Sequence, residues 1–428
     1  MLTSGPWARF DDLRGGEALR CPPPHRVLTT TRTDEVADVL REVQDETAAG
    51  SWAYGFVSYE AASGLDPLLP GGWTPGQPPL VWFGLCAEPA RVEPLAGSDV
   101  PTAPVLPWRP DWTAADHAGA VDSVRERIAA GDTYQVNLTD RLRSTVADPA
   151  TLYSRLALAQ RGAHNAYLDL GRYAVVSASP ELFFEWAGDQ VRTRPMKGTA
   201  SRGRTPAEDE RLSSALRASS KEQAENVMIV DLLRNDLGRI AQVGSVTVDE
   251  LFALERYPTV WQLTSQVSAQ VRPDVGLPEL FGALFPCGSI TGAPKQRSME
   301  LIRDLEPTPR GVYCGAIGLV APPGEAFRAR FSVAIRTVVV DRASGAAVYG
   351  AGGGITWGSD AARERAELLA KAAVLGSGVA DAQRAGSLED DGAVAEDDDA
   401  VLGVPPDRVR EGTGLGLPTA GGELLRAR

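Results

Sequence analysis

The sequence predicts an α+β fold, with strands and helices mixed and no regular strand–helix–strand alternation. Three observations carry that expectation. Alternating runs such as "TYQVNLTDRLRSTV" and "NAYLDLGRYAVVSASPELFFEW" read as strands, the second with a turn at Gly171. Stretches of helical period, such as "DHAGAVDSVRERIAAGD", stop at glycine. No internal repeat is present, which excludes solenoid and propeller arrangements.

Taken in order, residues 1–110 alternate short apolar runs ("WAYGFVSYEA", "LVWFGLCAE") with Pro- and Gly-rich turns, a β-rich N-terminal part with a few helices. "VPTAPVLPWRPDW" (Val100 to Trp112) reads as a connection. A second region, 111–380, opens on a helix with Val121, Val124 and Ile128 on its apolar face and a stop at Gly131. Two later helices stand out. One opens at Ser219 or Ser220, with Ser219 and Glu222 spaced as a capping box, and runs through "KEQAENVMIVDLLRNDLG" to Gly238. The other opens at Ser359 or Asp360 and runs through "DAARERAELLAKAAVL" to Gly376. Between them "SVTVDELFALE", "FRARFSVAIRTVVVDR" and "AAVYGAGGGI" are strand-like. The remainder, 381–428, holds "EDDGAVAEDDD" with seven carboxylates and no base, and is expected to be disordered.

Composition narrows the function. The 428 residues are 43% hydrophobic and 23% charged, enough for a large core. A net charge of -13 argues against nucleic acid or an acidic membrane surface as partner. Four scattered cysteines without a CxxC pair and three distant histidines argue against a zinc site or a disulfide framework. The N-terminus lacks a signal pattern, and no apolar run is long enough to span a bilayer, so a cytoplasmic protein is expected.

Carboxylates sit in unusual places. Glu222 and Glu225 are three apart on the first helix, so both point to one side, and the following "VMIVDLL" is apolar nearly all round. A carboxylate on a buried helix needs a partner or a shifted pKa. Glu364 and Glu367 repeat the arrangement on the second helix. Four such groups are a candidate oxygen cage for a hard cation, magnesium rather than zinc. Also open is a surface ion pair, because Glu367 and Lys371 are spaced i,i+4.

Two glycine-rich segments fail as nucleotide motifs. "GSITGAPK" lacks the Gly-Lys-Ser/Thr order of a phosphate loop, and "GAGGGI" lacks its strand–helix–strand context. Both let backbone N–H groups approach an anion; tight turns explain them as well. No Ser-His-Asp, Cys-His or GxSxG arrangement can be assembled.

Several segments together resemble the chorismate-utilising enzymes, the family of anthranilate, aminodeoxychorismate, isochorismate and salicylate synthases. They are "GDTYQVNLT", "SASPELFF", "TRPMKGTASRG", "ENVMIVDLLRNDLGRIA", "GSITGAPKQRSMELI", "FSVAIRTVVV" and "AGGGI", in family order from about Ala115 to Gly376. The N-terminal part matches more loosely, through "WARFDD" and "GFVSYEAASGLDP". The resemblance implies two large antiparallel β-sheets packed as a sandwich with helices on the outside.

Within the family, "PMKGT" most resembles the aminodeoxychorismate-forming branch, where a lysine stands in place of the alanine of anthranilate synthases. The resemblance then makes Lys197 a nucleophile toward carbon 2 of chorismate and Glu181, in "SPELFF", the acid–base residue. It makes Glu225 and Glu367 ligands of Mg2+, with Glu222 and Glu364 beside them. Arg336, Tyr349, Lys371, Gly198, Thr199 and the amides of Gly352, Gly353 and Gly354 become substrate contacts. An amine with an ordinary pKa near 10.4 needs its ammonium form destabilised before it is a nucleophile. Glu181 must start protonated, so a raised pKa is expected.

The sequence also departs from the family pattern. Gln262 stands where many members carry a histidine; glutamine relays no proton, which favours a product that keeps its enolpyruvyl group. Cys287 replaces a more usual glycine, and Trp357 and Gly358 alter the residues after "GGGI". No "GxCxGxQ" nucleophile motif is present, so ammonia is expected from a separate glutamine amidotransferase subunit or from solution. Anthranilate or isochorismate synthase, or a non-catalytic chorismate-binding subunit, are the alternative readings.

Overall fold

In a computed structural model the chain is described over residues 5–97, 107–258 and 260–376. The expected acidic tail and most of the Pro-rich connection lie outside the described residues. Two antiparallel sheets of ten strands each organise the rest. The first runs, edge to edge, Gly292–Ala293, Gln135–Thr145, Ala346–Ile355, Thr337–Asp341, Tyr173–Ser179, His164–Asp169, Trp7–Asp12, Glu17–Cys21 and Ala90–Val92, with Arg109–Pro110 also on Gln135–Thr145. The second runs Met196–Ser201, Val260–Gln270, Gln190–Arg194, Leu182–Ala187, Ala329–Val333, Ala316–Val320, Trp52–Val57, Val81–Cys86 and Arg26–Thr30, with Thr247–Arg256 on the outer side of Val260–Gln270. The α+β class and the two-sheet sandwich expected from the sequence are both present. Strands from before residue 110 enter both sheets, so the N-terminal third completes each layer.

Between the sheets lies one apolar layer. Ala8, Ala166, Leu168 and Val175 come from the first sheet, and Tyr54, Phe56, Trp82, Ile317 and Leu319 from the second. Helices cover the outer faces. Val36–Ala48, Ser220–Gly238 and Leu277–Leu284 pack on the second sheet around Phe183, Phe184, Phe281, Phe285 and Phe331. Neighbouring rings there stand 5.1 to 6.0 Å apart in tilted and edge-on pairs. Each such ring contributes about 2–3 kcal/mol of burial. Pro149–Gln160 and Ala361–Ala372 cover the first sheet over Tyr153, Tyr167 and Tyr349. Double coverage explains why strands such as "WAYGFV" are buried at every position and lose the alternation of a one-sided strand.

The two helices singled out from the sequence form as expected. Ser219 caps the first by accepting the Glu222 N–H at 3.4 Å, and Asp360 caps the second by accepting the Arg363 N–H at 3.0 Å. One expectation is corrected. The "VMIVDLL" stretch is not buried all round: Ile229, Val230 and Leu233 face the core, while Val227 is 38% exposed and Asp231 faces water. Consecutive apolar residues overstate burial when the helix lies against only one sheet.

A buried ionic network locks one end of the first sheet to the loop that carries "GSITGAPK". Arg310 donates to Glu306 at 2.6 and 3.0 Å, to the Asn137 carbonyl at 2.7 Å and to the Ile290 carbonyl at 2.8 Å. Arg141 joins Glu306 at 3.1 Å. At the other end of the same loop, Lys295 pairs with buried Asp236 at 2.8 Å. The loop is therefore fixed by charge-assisted bonds on both flanks.

Candidate active site

Lys197 sits on the edge strand Met196–Ser201 of the second sheet. Its pairing with Val260–Gln270 shifts register between Met196 and Thr199, so Lys197 and Gly198 form a bulge. A bulge re-aims a side chain out of the pleat. Gly198 makes this possible with a φ of 96°, and a Cβ there would lie 3.0 Å from Glu222 Oε2. Lys197 Nζ donates to the Ser289 carbonyl at 3.0 Å. Burial pulls its pKa down, and the Lys371 ammonium pulls further; Glu225 and Glu181 oppose. The net direction is the one an amine nucleophile needs.

Glu181 follows strand Tyr173–Ser179 and is only 2% exposed. The water-facing strand-end reading is thereby excluded. Ser289 Oγ donates to Glu181 Oε1 at 2.7 Å. Burial raises the Glu181 pKa to about 7, against the Ser289 hydroxyl, Lys197 and the Met196 N–H. The carboxyl is thus in part protonated at neutral pH, the state a general acid requires. A single residue, Ser289, touches both groups: its hydroxyl meets the acid and its carbonyl meets the amine.

The paired glutamates meet across this pocket. Burial raises the Glu225 pKa, with Glu222 and Glu367 adding repulsion and Lys197 opposing. Glu364 is likewise raised by burial, while Ser359 Oγ donates to it at 2.6 Å. Burial also pushes Glu367 up, but Lys371 at 2.7 Å outweighs it and the net direction is down. The i,i+4 ion pair expected as the alternative reading is therefore present. Among the described residues no three His, Cys, Asp or Glu side chains stand close enough together to hold a metal ion as they are. The donor set still fits a hard cation: oxygen atoms only, four carboxylates repelling one another, and only lysines to balance them.

Glycine-lined backbone closes the site. Gly353 lies opposite the second helix, where a Cβ would meet Glu364 Oε2 at 3.2 Å and Glu367 Oε1 and Lys371 Nζ at 3.8 Å. Lys371 Nζ donates to the Gly352 carbonyl at 2.8 Å. Tyr349 is buried under the helix, its hydroxyl donating to the Lys371 carbonyl at 3.1 Å, so it supports Lys371 from behind. Thr199 Oγ1 donates to Gln262 at 3.3 Å, tying the lysine strand to the position of the family histidine. Arg336 adopts a left-handed φ of 51°, and its enclosed guanidinium bonds the neutral Gln160 side chain. Among the described residues no carboxylate pairs with it. An enclosed cation that no carboxylate contacts directly suits an anionic ligand.

Two further residues escape the sequence reading. Ser289 is one, its only signal a place within "GSITGAPK". Gln135 is the other: it is 1% exposed, its Nε2 lies against Gly354, and its Oε1 has no partner. A buried orphan acceptor marks room for a ligand donor.

An enclosed acid, an amine of lowered pKa, clustered carboxylates and an arginine without an ion-pair partner form a candidate site suited to a small polyanionic ligand. Residues 94–376 match the family described as chorismate binding enzyme. The chain belongs to that family. It is 42% identical over 68% of its length to an aminodeoxychorismate synthase of Streptomyces griseus, covering 41% of that protein. It is 41% identical over 68% of its length to anthranilate synthase component 1 of Streptomyces coelicolor, covering 58% of it. The chain thus spans about half the length of these curated relatives. Anthranilate synthase component I from Streptococcus pneumoniae has the same fold, with a TM-score of 0.71 and 26% identity over 86% of this chain and 92% of that one. Among the described residues no helix is long and apolar enough to cross a membrane.

Proposed function

We propose that the chain converts chorismate and ammonia into 4-amino-4-deoxychorismate, with ammonia supplied by a separate glutamine amidotransferase subunit or taken from solution. One observation carries the reading: the only lysine on the "PMKGT" bulge has its amine enclosed beside a buried, raised-pKa acid, with Ser289 holding both. An amine in that position is the natural nucleophile of the site.

The chemistry balances as an exchange of water for ammonia. The neutral Lys197 amine forms a bond to carbon 2 of chorismate as the double bond shifts and the carbon 4 hydroxyl leaves. Glu181 gives that hydroxyl its proton, and water departs. Ammonia then bonds to carbon 4 and one of its protons returns to the Glu181 carboxylate, the ring double bonds shift back, and the carbon 2–nitrogen bond breaks to release Lys197 as the neutral amine. Arg336, Lys371 and the amides of Gly352 to Gly354 would hold the substrate carboxylates. Glu225 and Glu367, with Glu222 and Glu364, would hold a magnesium ion, which when bound neutralises the ring carboxylate. Gln262, neutral and bonded to Thr199, offers no base to remove the enolpyruvyl group.

Incubation with chorismate and magnesium, with and without ammonium, followed by mass spectrometry, tests this. Aminodeoxychorismate is expected only with ammonium, and Lys197→Ala should lose it by at least about 100-fold. Anthranilate fluorescence, or isochorismate formed without ammonium, would count against the proposal. So would full activity in Lys197→Ala.

A further inference from the structure

Cys287 is buried to 4% and lies beside the acid, yet the mechanism above gives it no part. Its Sγ is 3.2 Å from Ser289 Oγ and 3.9 Å from Glu181 Oε1. Ser289 in turn gives Glu181 a 2.7 Å bond. A hydroxyl has one proton to donate and lone pairs left to accept with. Once that proton is committed to Glu181, the remaining contact at Ser289 must be received from the thiol.

We infer that Cys287 is a positioning residue for Glu181, the outer end of a donor chain that runs thiol to Ser289 hydroxyl to Glu181 Oε1. The chain holds Oε1 as an acceptor, so the acidic proton resides on Oε2. The inference rests on the proposed acid role for its interest, but the chain itself is a property of the resting site. Three features support its direction. Burial pushes the Cys287 thiol up to about 12, with Glu181 adding to the rise and the Ser289 hydroxyl and N–H opposing it, so it stays protonated and able to donate. Cys287 precedes the short helical turn Gly288–Ile290, and Thr291 Oγ1 bonds its carbonyl at 3.2 Å, which fixes its backbone. Arg310 holds the Ile290 carbonyl, so Ser289 cannot swing away. Hydrogen bonds in such a chain polarise one another, by roughly 10–30% per bond.

Glu181 is also faced by other charged groups. Lys197 stands on the bulged edge strand, Arg336 on the turn before strand Thr337–Asp341, and the Met196 N–H donates from the backbone. These are untouched by substitution at 287. The thiol therefore acts on Glu181 mainly through the shorter bond to Ser289, with the 3.9 Å direct contact as a weaker second route, and its removal weakens the bonding that favours the carboxylate.

The test is an infrared titration of the Glu181 carboxyl in the substrate-free full chain, its band assigned by difference against Glu181→Gln. Cys287→Ala should raise the Glu181 pKa by about half a unit. Cys287→Ser, which restores a donor, should return it to the wild-type value. Ser289→Ala should raise it further, and Cys287→Ala should then add clearly less in the Ser289→Ala background than in wild type. Equal shifts in Cys287→Ala and Cys287→Ser would overturn the inference, as would no shift in either or an undiminished effect in the Ser289→Ala background. If Cys287→Ala does not fold, a Cys287→Ser titration displaced from wild type overturns it and a coincident one supports it. The titration needs no turnover, so a different reaction product would defeat the functional proposal and leave this measurement intact.

Discussion

At the residue scale, the acid and the amine are displaced from their ordinary states in opposite directions, both chiefly by burial. Glu181, raised to about 7, favours the proton; Lys197, lowered, favours its loss. Two consequences follow. Turnover should decline as pH rises through about 7, because Glu181 then loses the proton it must give. Stability carries the same sign: the native state binds the Glu181 proton more tightly than the unfolded chain does. The group therefore costs stability as pH rises from the ordinary carboxylate value toward about 7, and that cost persists above it. Glu181→Gln should raise the melting free energy by about 2–3 kcal/mol at pH 8 and by little near pH 4, measured by denaturant titration at both. A flat difference across that range would contradict the raised pKa. The motif reading located Lys197 and Glu181, since both lie in contiguous signatures. It missed the roles of Ser289 and Gln135, because their meaning depends on residues 92 to 219 positions away, a separation no local pattern encodes.

At the scale of the element, the strand Ala346–Ile355 does two jobs with neighbouring glycines. A Cβ at Gly352 would stand 2.2 Å from the Leu138 carbonyl on the paired strand, whereas one at Gly353 meets only side-chain ends. Gly352→Ala should thus cost the fold several kcal/mol, since two backbones cannot both give way. Gly353→Ala should leave the melting temperature nearly unchanged. It should instead raise the KM for chorismate and the magnesium requirement several-fold by displacing Glu364 and Lys371. Thermal unfolding and steady-state kinetics on the pair separate these outcomes. Element boundaries were legible where caps and stops are local: Ser219, Asp360 and Gly376 mark the helix ends they were expected to mark. The bulge at Lys197 was not legible, because it arises from pairing with a strand 60 residues on.

At the scale of the whole molecule, the site exists because two sheets end at the same place. Lys197 comes from the edge of the second sheet, Gly352 to Gly354 from the first, and the Ser289 loop is pinned between them by Arg310 and Lys295. The Arg310–Glu306–Arg141 network is the joint. Burial pushes Glu306 up, but the two guanidiniums outweigh it and hold the carboxyl below its ordinary value. Its contribution is therefore present above the unfolded carboxylate pKa and lost as pH falls through the folded one. Glu306→Gln should destabilise the protein by about 3–5 kcal/mol at pH 7, the cost of leaving buried arginines uncompensated. That deficit should shrink in acid, as the pH falls through the lowered Glu306 pKa and wild type loses the same charge. Activity of the surviving folded fraction should fall as well, because the Ile290 carbonyl anchors the loop that holds Ser289.

The sequence alone determined the α+β class, the helix ends, the family and the positions of the two groups proposed for the chemistry, because each is written in contiguous patterns of period, capping and motif. The tertiary structure alone decided how those groups are tuned. Burial by distant elements raises Glu181 and lowers Lys197, a cross-strand bulge aims the amine, and a loop 92 residues away supplies the serine that joins them. Desolvation and hydrogen-bond geometry are properties of neighbours in space, and only the folded chain brings those neighbours together.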